Sequence, residues 1–141
     1  MKVVIIGAGP AGIVAAEALR AADPAIALEM VTTEPHPPYS PPALADYFLT
    51  GRSDTLFWKG RDVCDRLAIV YHSPARVVDI DPSGHRIRLA DGMAISYDAL
   101  LVAAGSRLHA PVDGSELPGV HDFKSLVAAE AIVARWPGLR V

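Results

Sequence analysis

The sequence predicts an α/β fold with a parallel sheet, helices and a small antiparallel meander. Residues 2–6 and 98–103 form continuous apolar runs, which are typical of parallel strands covered on both faces. Residues 10–22 are rich in alanine and have the apolar spacing of a helix. Residues 76–96 alternate between apolar and polar side chains, which predicts short antiparallel strands. Together these patterns indicate a three-layer arrangement.

The composition is that of one globular domain. The chain has 141 residues, of which 51% are hydrophobic and 21% charged, so wholesale disorder is excluded. A formal net charge of −3 provides no basic surface for nucleic acid or anionic lipid. No apolar run approaches the roughly 20 residues of a membrane helix. We therefore expect no nucleic-acid or membrane partner.

The cysteine and histidine content restricts the chemistry further. The single cysteine, Cys64, excludes an internal disulphide framework, a CxxC redox pair and a cysteine-based zinc site. The five histidines show no metal-binding spacing, so we expect no metal. The nearly uncharged residues 3–16 superficially resemble a secretory signal, but the glycines and proline at positions 7, 9, 10 and 12 would break its helix. A cytoplasmic location is the better interpretation.

A strand, a glycine turn, a helix and a second strand open the chain. Residues 2–6 are rich in β-branched side chains and end at Gly7, and the helix over residues 10–22 is followed by Pro24. Residues 25–31 then have the composition of another strand. This order predicts a βαβ unit of about thirty residues.

A proline-rich loop follows the βαβ unit. Five prolines within residues 35–42 exclude a helix interior or a central strand there. Pro35–Pro38 also matches the PxxP pattern of an SH3 ligand, although a loop that covers a cofactor explains the same prolines. The further predicted elements are helices over 43–49 and 61–67, meander strands over 76–80, 85–89 and 93–96, a buried strand over 98–103 and a helix over 123–136.

The segment from Gly7 to Gly12, Gly-Ala-Gly-Pro-Ala-Gly, is a G-x-G-x-x-G motif between a predicted strand and a predicted helix. Gly7 permits the tight turn, Gly9 lets the backbone approach a pyrophosphate, and Gly12 allows the helix to pack closely on the strand. With Pro10 and Ala11, the motif brings free N–H groups and the positive end of the helix dipole to the phosphates. It therefore predicts a dinucleotide site.

Glu34 supports the same interpretation. It lies at the end of the second predicted strand, 22 residues after Gly12, where a carboxylate can accept both hydroxyls of an adenosine ribose. These features fit NAD and FAD equally. A simple NAD-binding half would continue with another helix and a third parallel strand, whereas here we expect a proline-rich loop, a meander and then a buried strand.

Three separated motifs resemble a known family. Val4–Gly12 with Glu34, Tyr39–Leu44 and Tyr97–Arg107 are similar to the N-terminal part of FAD-dependent pyridine nucleotide-disulphide oxidoreductases. The resemblance is closest to the branch with rubredoxin and ferredoxin reductases, NADH oxidases and the large subunit of assimilatory nitrite reductase. It extends over nearly the whole chain and implies a Rossmann-like three-layer fold that binds FAD and includes the meander.

The resemblance also implies site residues. Val77 would offer its backbone to the adenine. The stretch with Ala103, Ala104 and Gly105 would pass close to the FAD, although Ala104 stands where the family usually has threonine. Arg107 would lie near the FAD phosphates. Together with the glycine motif and the ribose carboxylate, these residues make up the predicted cofactor site.

Two departures concern the reactive edge of the flavin. Several branches of the family carry a redox cysteine just after the proline-rich loop, but the matching stretch here, Pro42–Asp46, has no sulfur. Branches without that cysteine often have an arginine and a lysine, and these are replaced by Pro41 and Asp46. No catalytic residue is therefore assigned. Cys64 has no lysine or histidine close to it in the sequence and is interpreted as a packing residue.

The expected function is that of the FAD-binding segment of an NAD(P)H-dependent oxidoreductase that passes electrons through FAD to an acceptor. The alternative is a non-catalytic module that binds FAD or NAD through the same loop. Residues 1–121 are expected to form the N-terminal segment of the FAD-binding domain. Residues 122–141 would be a helix and the start of a strand leading into a missing NAD(P)-binding domain or partner chain. In the family a further strand completes the FAD domain, so an incomplete sheet edge here would favour a homo-oligomer.

Overall fold

The computed structural model describes residues 1–106 and 111–135. The chain divides into two units, the first made of Met1–Tyr39 and Lys59–Gly105 and the second of Ser40–Trp58 and Ser106–Val141. The elements in chain order are β1 (Lys2–Ile6), α1 (Pro10–Ala22), β2 (Ala27–Val31), α2 (Leu44–Thr50), α3 (Val63–Arg66), β3 (Ile69–His72), β4 (Val77–Asp81), β5 (Arg86–Leu89), β6 (Ala94–Ser96), β7 (Ala99–Val102) and α4 (Leu126–Arg135).

A parallel sheet with the strand order β3-β2-β1-β7 forms the centre of the first unit. β1 pairs in parallel with both β2 and β7, so its last residue, Ile6, lies beside Val31 and Val102. β3 pairs in parallel with β2 at the outer edge. The four strands therefore end on the same side of the sheet, and the predicted α/β class is confirmed.

Both faces of β1 are buried, as its continuous apolar sequence predicts. On one face, Val3 and Ile5 belong to a core cluster with Ile13 of α1 and with Val63 and Cys64 of α3. On the other face, a second cluster joins the parallel sheet to the meander, and its buried members are Val4, Val31, Ile87, Leu89, Ile95 and Tyr97. The first unit thus has three layers: helices, a parallel sheet and an antiparallel sheet.

Helix α1 has the bounds that the sequence predicts. It begins at Pro10, which has no N–H to leave unsatisfied in the first turn. Near its end, the Arg20 guanidinium donates hydrogen bonds to the carbonyls of Ile26 (2.7 Å) and Leu67 (3.0 Å). These bonds connect the helix to the segments that precede β2 and β3.

The predicted meander is present as β4, β5 and β6, with strand bounds within one residue of those expected. β4 pairs with β5 and β5 with β6, both antiparallel. The register shifts between Val77 and Asp79, so that the intervening Val78 forms a bulge in β4. The order β4-β5-β6 leaves β4 as an outer strand of this sheet.

The expectation that this chain lacks a third parallel strand is wrong, because β3 is present. It has only four residues and follows α3 without a glycine or proline between them. The chain turns instead at Ala68, which adopts a φ of 49° in the left-handed region. Because no glycine or proline marks this turn, the sequence gives no signal for a separate strand after the helix. The helix predicted over residues 61–67 is also shorter in the structure, where α3 spans Val63–Arg66.

The second unit contains α2, which follows a 3-10 turn over Pro41–Ala43, and α4. α2 ends before Gly51, which adopts a φ of 71°. Among the residues of this unit that the structure describes, the buried apolar side chains are those of Leu44, Leu56, Phe57, Leu126 and Ala129. The predicted helix over 123–136 is present as α4 from Leu126 to Arg135. Trp136 and the predicted strand start at 139–141 lie outside the described residues.

Candidate functional site

The carboxyl ends of β1, β2 and β7 meet at one edge of the parallel sheet. β1 has β2 on one side and β7 on the other, which is a topological switch point, and open α/β sheets bind ligands there. The Gly7 N–H donates to the Val31 carbonyl (2.8 Å), and the Ala103 N–H donates to the Ile6 carbonyl (2.8 Å). The structure thus brings the first motif glycine and the predicted residue Ala103 together at this edge.

Gly7 has to be glycine for two reasons. Its backbone φ of 111° is one that residues with a side chain rarely adopt. A Cβ atom added to it would also lie 2.3 Å from the Ala103 carbonyl oxygen and 3.0 Å from the Ala104 Cα. The loop after β1 therefore lies directly against the loop after β7, as the predicted tight turn requires.

Gly9 differs from Gly7 because a Cβ atom added to it would meet no heavy atom within 4 Å. Its φ of −75° is accessible to any residue. Gly9 is the N-cap of α1, and no side chain caps this helix. Pro10 and Ala11, which begin the helix, are exposed. The first-turn N–H groups and the positive end of the dipole are thus available to an anionic group.

Glu34 lies three residues beyond the end of β2 and is half-buried. Its N–H donates to Thr32 Oγ1 (3.2 Å), and its carbonyl accepts a hydrogen bond from Ser73 Oγ (2.6 Å). Its carboxylate Oε2 accepts a hydrogen bond from the Tyr39 hydroxyl (3.2 Å). Within residues 1–106 and 111–135 no hydrogen bond to Oε1 is found. The carboxylate is thus held through one of its two oxygens.

Val77 offers backbone groups at the outer edge of the meander. It lies opposite Leu89, but the Ala90 N–H donates to the Arg76 carbonyl and the Leu89 N–H to the Met93 carbonyl, both at 2.8 Å. Val77 and Leu89 therefore form a non-hydrogen-bonded pair. In such a pair the N–H and C=O of Val77 point away from β5, where they can bind a polar edge of a ligand.

An open groove of about 350 Å³ lies next to this edge. It is lined by Thr33, residues 74–76 and residues 89–91. Its lining thus includes Thr33 and Arg76, which precede the predicted contact residues Glu34 and Val77 in the chain.

The last predicted contacts follow β7. Ala103 is half-buried, whereas Ala104 and Gly105 are exposed, and Gly105 adopts a φ of 69°. Ala104 is held close to the glycine loop by the packing of Gly7 described above. Arg107 lies outside the described residues. Three of the four predicted residues after β7 are therefore placed at the same edge of the sheet.

Three hydroxyl groups around Glu34 are site features that the sequence pattern does not reveal. Tyr39 and Ser73 bind Glu34 itself, and the Tyr71 hydroxyl donates to the His36 carbonyl (2.9 Å). Burial raises the pKa of Tyr71 to about 12, so its hydroxyl stays a donor. Tyr39 belongs to a motif that could have identified it. Ser73 and Tyr71 bind partners 39 and 35 residues away, which no local pattern indicates.

Cys64 takes no part in this edge. Its side chain is 7% exposed and belongs to the core cluster between the helices and the parallel sheet. Burial, with a smaller effect from the Asp65 carboxylate, raises the pKa of the thiol to about 11. A thiol that stays protonated at neutral pH is a poor nucleophile, which agrees with the predicted packing role.

Within residues 1–106 and 111–135, no three histidine, cysteine, aspartate or glutamate side chains come together in a way that could hold a metal ion. None of the helices described there is both long enough and apolar enough to cross a membrane.

Comparison with known proteins agrees with this picture. A family model described as pyridine nucleotide-disulphide oxidoreductase matches residues 1–141. The chain is 36% identical over 137 residues to rhodocoxin reductase from Rhodococcus erythropolis, covering 95% of this chain and 32% of that protein. It is 34% identical over 145 residues to a probable ferredoxin reductase from Castellaniella defragrans, and the match covers 99% of this chain and 35% of that protein. The chain thus spans about a third of the length of these curated relatives.

Solved structures share the fold. The ferredoxin reductase for the CYP199A2 system from Rhodopseudomonas palustris matches with a TM-score of 0.82 and 33% identity, over 95% of this chain and 34% of that chain. The putidaredoxin reductase–putidaredoxin complex matches with the same TM-score at 27% identity, over the same shares of the two chains. These similarities confirm the three-layer fold with its parallel sheet and meander.

Proposed function

Because the chain belongs to the pyridine nucleotide-disulphide oxidoreductase family, we propose that its first unit binds FAD. The observation that carries this proposal is the contrast inside the glycine motif. Cβ atoms at Gly7 and Gly12 would collide with backbone, whereas one at Gly9 would meet nothing within 4 Å. Open space over an uncapped helix end, at the switch point of a parallel sheet, fits a pyrophosphate.

The glycine motif would hold the phosphates. Gly7 and Gly12 shape the loop by close packing, and Gly9 allows the ligand to approach the backbone. Pro10 and Ala11 belong to the exposed start of the helix, whose N–H groups would donate to phosphate oxygens. These residues need no charged side chain, because the helix dipole and backbone N–H groups supply the positive potential.

The adenosine end would lie between Glu34 and the meander. The Glu34 carboxylate would accept hydrogen bonds from the ribose hydroxyls, and the outward N–H and C=O of Val77 would bind the adenine. Ala103, Ala104 and Gly105 would contact the FAD where their loop packs against the glycine motif, and Arg107 would lie near its phosphates. When bound, FAD supplies the capacity to accept a hydride and to release electrons one at a time.

The reaction of a complete enzyme is a further proposal. We propose that a protein containing this chain transfers electrons from NAD(P)H through FAD to an electron-carrier protein, since several relatives are named ferredoxin reductases. The sequence contains one G-x-G-x-x-G motif, so NAD(P)H would bind in a second domain or partner chain. We assign residues 1–121 to the FAD-binding domain and residues 122–141 to the connection towards that domain. A cytoplasmic location and a homo-oligomer belong to the same proposal.

A binding experiment tests the FAD site. Titrating the purified chain with FAD, NAD and ADP-ribose, followed by flavin fluorescence or calorimetry, should show weak but saturable binding of FAD. The matched variant Gly9→Val should retain the fold, judged by circular dichroism, and lose FAD binding. Binding of NAD and ADP-ribose without FAD would favour the non-catalytic nucleotide module. FAD binding that is unchanged in Gly9→Val would refute the assignment of the phosphate loop.

A further inference from the structure

The segment that carries Glu34 is rich in proline and cannot hold itself in place by backbone bonds. Pro35, Pro37 and Pro38 lack N–H groups, so this stretch has few donors for local turns. Side-chain hydroxyls from outside the stretch bind its carbonyls instead. Tyr71 on β3 donates to the His36 carbonyl (2.9 Å), and Ser73, which follows β3, donates to the Glu34 carbonyl (2.6 Å).

Glu34 is restrained at three points. Its N–H donates to Thr32 Oγ1 (3.2 Å), its carbonyl accepts from Ser73 Oγ (2.6 Å), and its Oε2 accepts from the Tyr39 hydroxyl (3.2 Å). Tyr39 is itself only 7% exposed, so its ring is fixed by packing. A rigid donor that binds one carboxylate oxygen restricts rotation of the whole carboxylate group, and so fixes the position of the other oxygen. Backbone and side chain of Glu34 are therefore both set before any ligand arrives.

We propose that Tyr39 is a positioning residue, whose hydroxyl orients the Glu34 carboxylate to receive the ribose hydroxyls of the dinucleotide. The inference rests on the proposed FAD site. It adds a residue whose hydroxyl acts on the Glu34 carboxylate and not on the ligand. Ser73 acts in the same way on the backbone of Glu34. Preorganisation of this kind strengthens binding because the ordering of the side chain is complete before association.

The test compares two ligands on each protein: FAD, and an FAD analogue whose adenosine carries a 2′,3′-dideoxyribose. Tyr39→Phe removes only the hydroxyl and should weaken FAD binding about five- to tenfold, because the Glu34 side chain must then be ordered when the ligand binds. The analogue has no ribose hydroxyls for Glu34 to bind, so its Kd should be the same in both proteins. A purely structural role of Tyr39 would weaken both ligands equally and would overturn the inference.

The controls separate failure of this inference from failure of the FAD site. Tyr97→Phe changes another buried tyrosine, which lies in the meander cluster, and should leave both Kd values unchanged. If Tyr39→Phe unfolds, Ser73→Ala provides the same comparison through the Glu34 carbonyl. Unchanged FAD binding in a folded Tyr39→Phe variant would overturn the positioning role alone. A natural chain that binds FAD and the analogue equally would overturn the ribose site, and the role of Tyr39 with it.

Discussion

A Cβ atom placed on Gly12 would lie 2.1 Å from the carbonyl oxygen of Gly7. Gly12 therefore packs closely on Gly7, and the first turn of α1 lies against the backbone that leaves β1. The same added atom would lie 3.4 Å from the Ile5 side chain, so the helix has no room to shift towards the sheet. The spacing of these two glycines is therefore a packing requirement, whatever ligand the loop binds.

We expect Gly12→Ala to destabilise the fold by about 1–3 kcal/mol, because the helix must move away from the loop. Gly9→Ala is the matched control: it has open space and an ordinary φ, and should cost less than about 1 kcal/mol, from its N-cap position. Urea unfolding of both variants measures the difference. Equal stabilities for the two would show that the contact between Gly12 and Gly7 is not a constraint.

Glu34→Gln should weaken FAD binding by about 1–3 kcal/mol, because it replaces a charged acceptor with a neutral amide of the same size. The half-buried position and the Tyr39 hydroxyl can accommodate the amide, so the free energy of unfolding should change little. Calorimetric titration with FAD, alongside a urea melt, measures both quantities. FAD affinity equal to that of the natural chain would remove Glu34 from the site.

The glycine motif shows what local sequence can establish. The order strand, G-x-G-x-x-G and helix is encoded within twelve residues, and the predicted bounds of α1 agree with the structure. Close packing at Gly7 and Gly12 follows from their positions in the motif, since a Cβ atom added to Gly9, between them, would meet nothing within 4 Å. The environment of Glu34 could not be predicted, because its Ser73 contact spans 39 residues and depends on β3. That strand is short, and the turn before it uses Ala68 rather than glycine.

Cys64 should react slowly with alkylating reagents in the folded chain. Burial raises its thiol pKa from the ordinary value of 9.0 to about 11, so the thiolate fraction near pH 8 is about 100-fold lower than in the unfolded chain. Because the folded pKa is the higher one, the neutral thiol favours folding below pH 9, and this contribution is lost as the pH rises from 9 towards 11. Alkylation by iodoacetamide, with and without urea, measures the ratio. Similar rates in both conditions would contradict burial of Cys64.

Glu29 should make the fold sensitive to acid. Burial acts to raise the pKa of this carboxyl, but hydrogen bonds and charge from Lys2 (2.6 Å) and His72 (2.8 Å) outweigh it and lower the pKa below 4.5. The folded pKa is below the unfolded one, so the stabilisation is present above pH 4.5 and is lost as the pH falls through the folded pKa.

Replacing Glu29 by glutamine should therefore remove part of the loss of stability below pH 4.5. Urea melts of the natural chain and of Glu29→Gln, at pH 7 and at successive steps below pH 4.5, measure this difference. Asp54→Asn is a control, since its carboxylate is exposed and pairs only locally with Arg52. If the free energy of unfolding changes with pH in the same way for the natural chain and for Glu29→Gln, ionisation of Glu29 in the cluster with Lys2 and His72 does not stabilise the fold.

The flavin of the FAD-loaded chain should be reduced by dithionite but not efficiently by NADH. The sequence has a single dinucleotide motif, and in the proposal FAD occupies it. Hydride transfer requires the nicotinamide to be held about 3–3.5 Å from the flavin, and an unpositioned NADH forgoes an effective molarity of ~10⁵ M or more. NADH should then bleach the flavin absorbance anaerobically no faster than it bleaches free FAD. Dithionite, which needs no binding site, is the internal control for an accessible flavin. Reduction by NADH at an enzymatic rate of about 1 s⁻¹ or faster would mean that these residues also bind the nicotinamide, and the proposed second domain would be unnecessary.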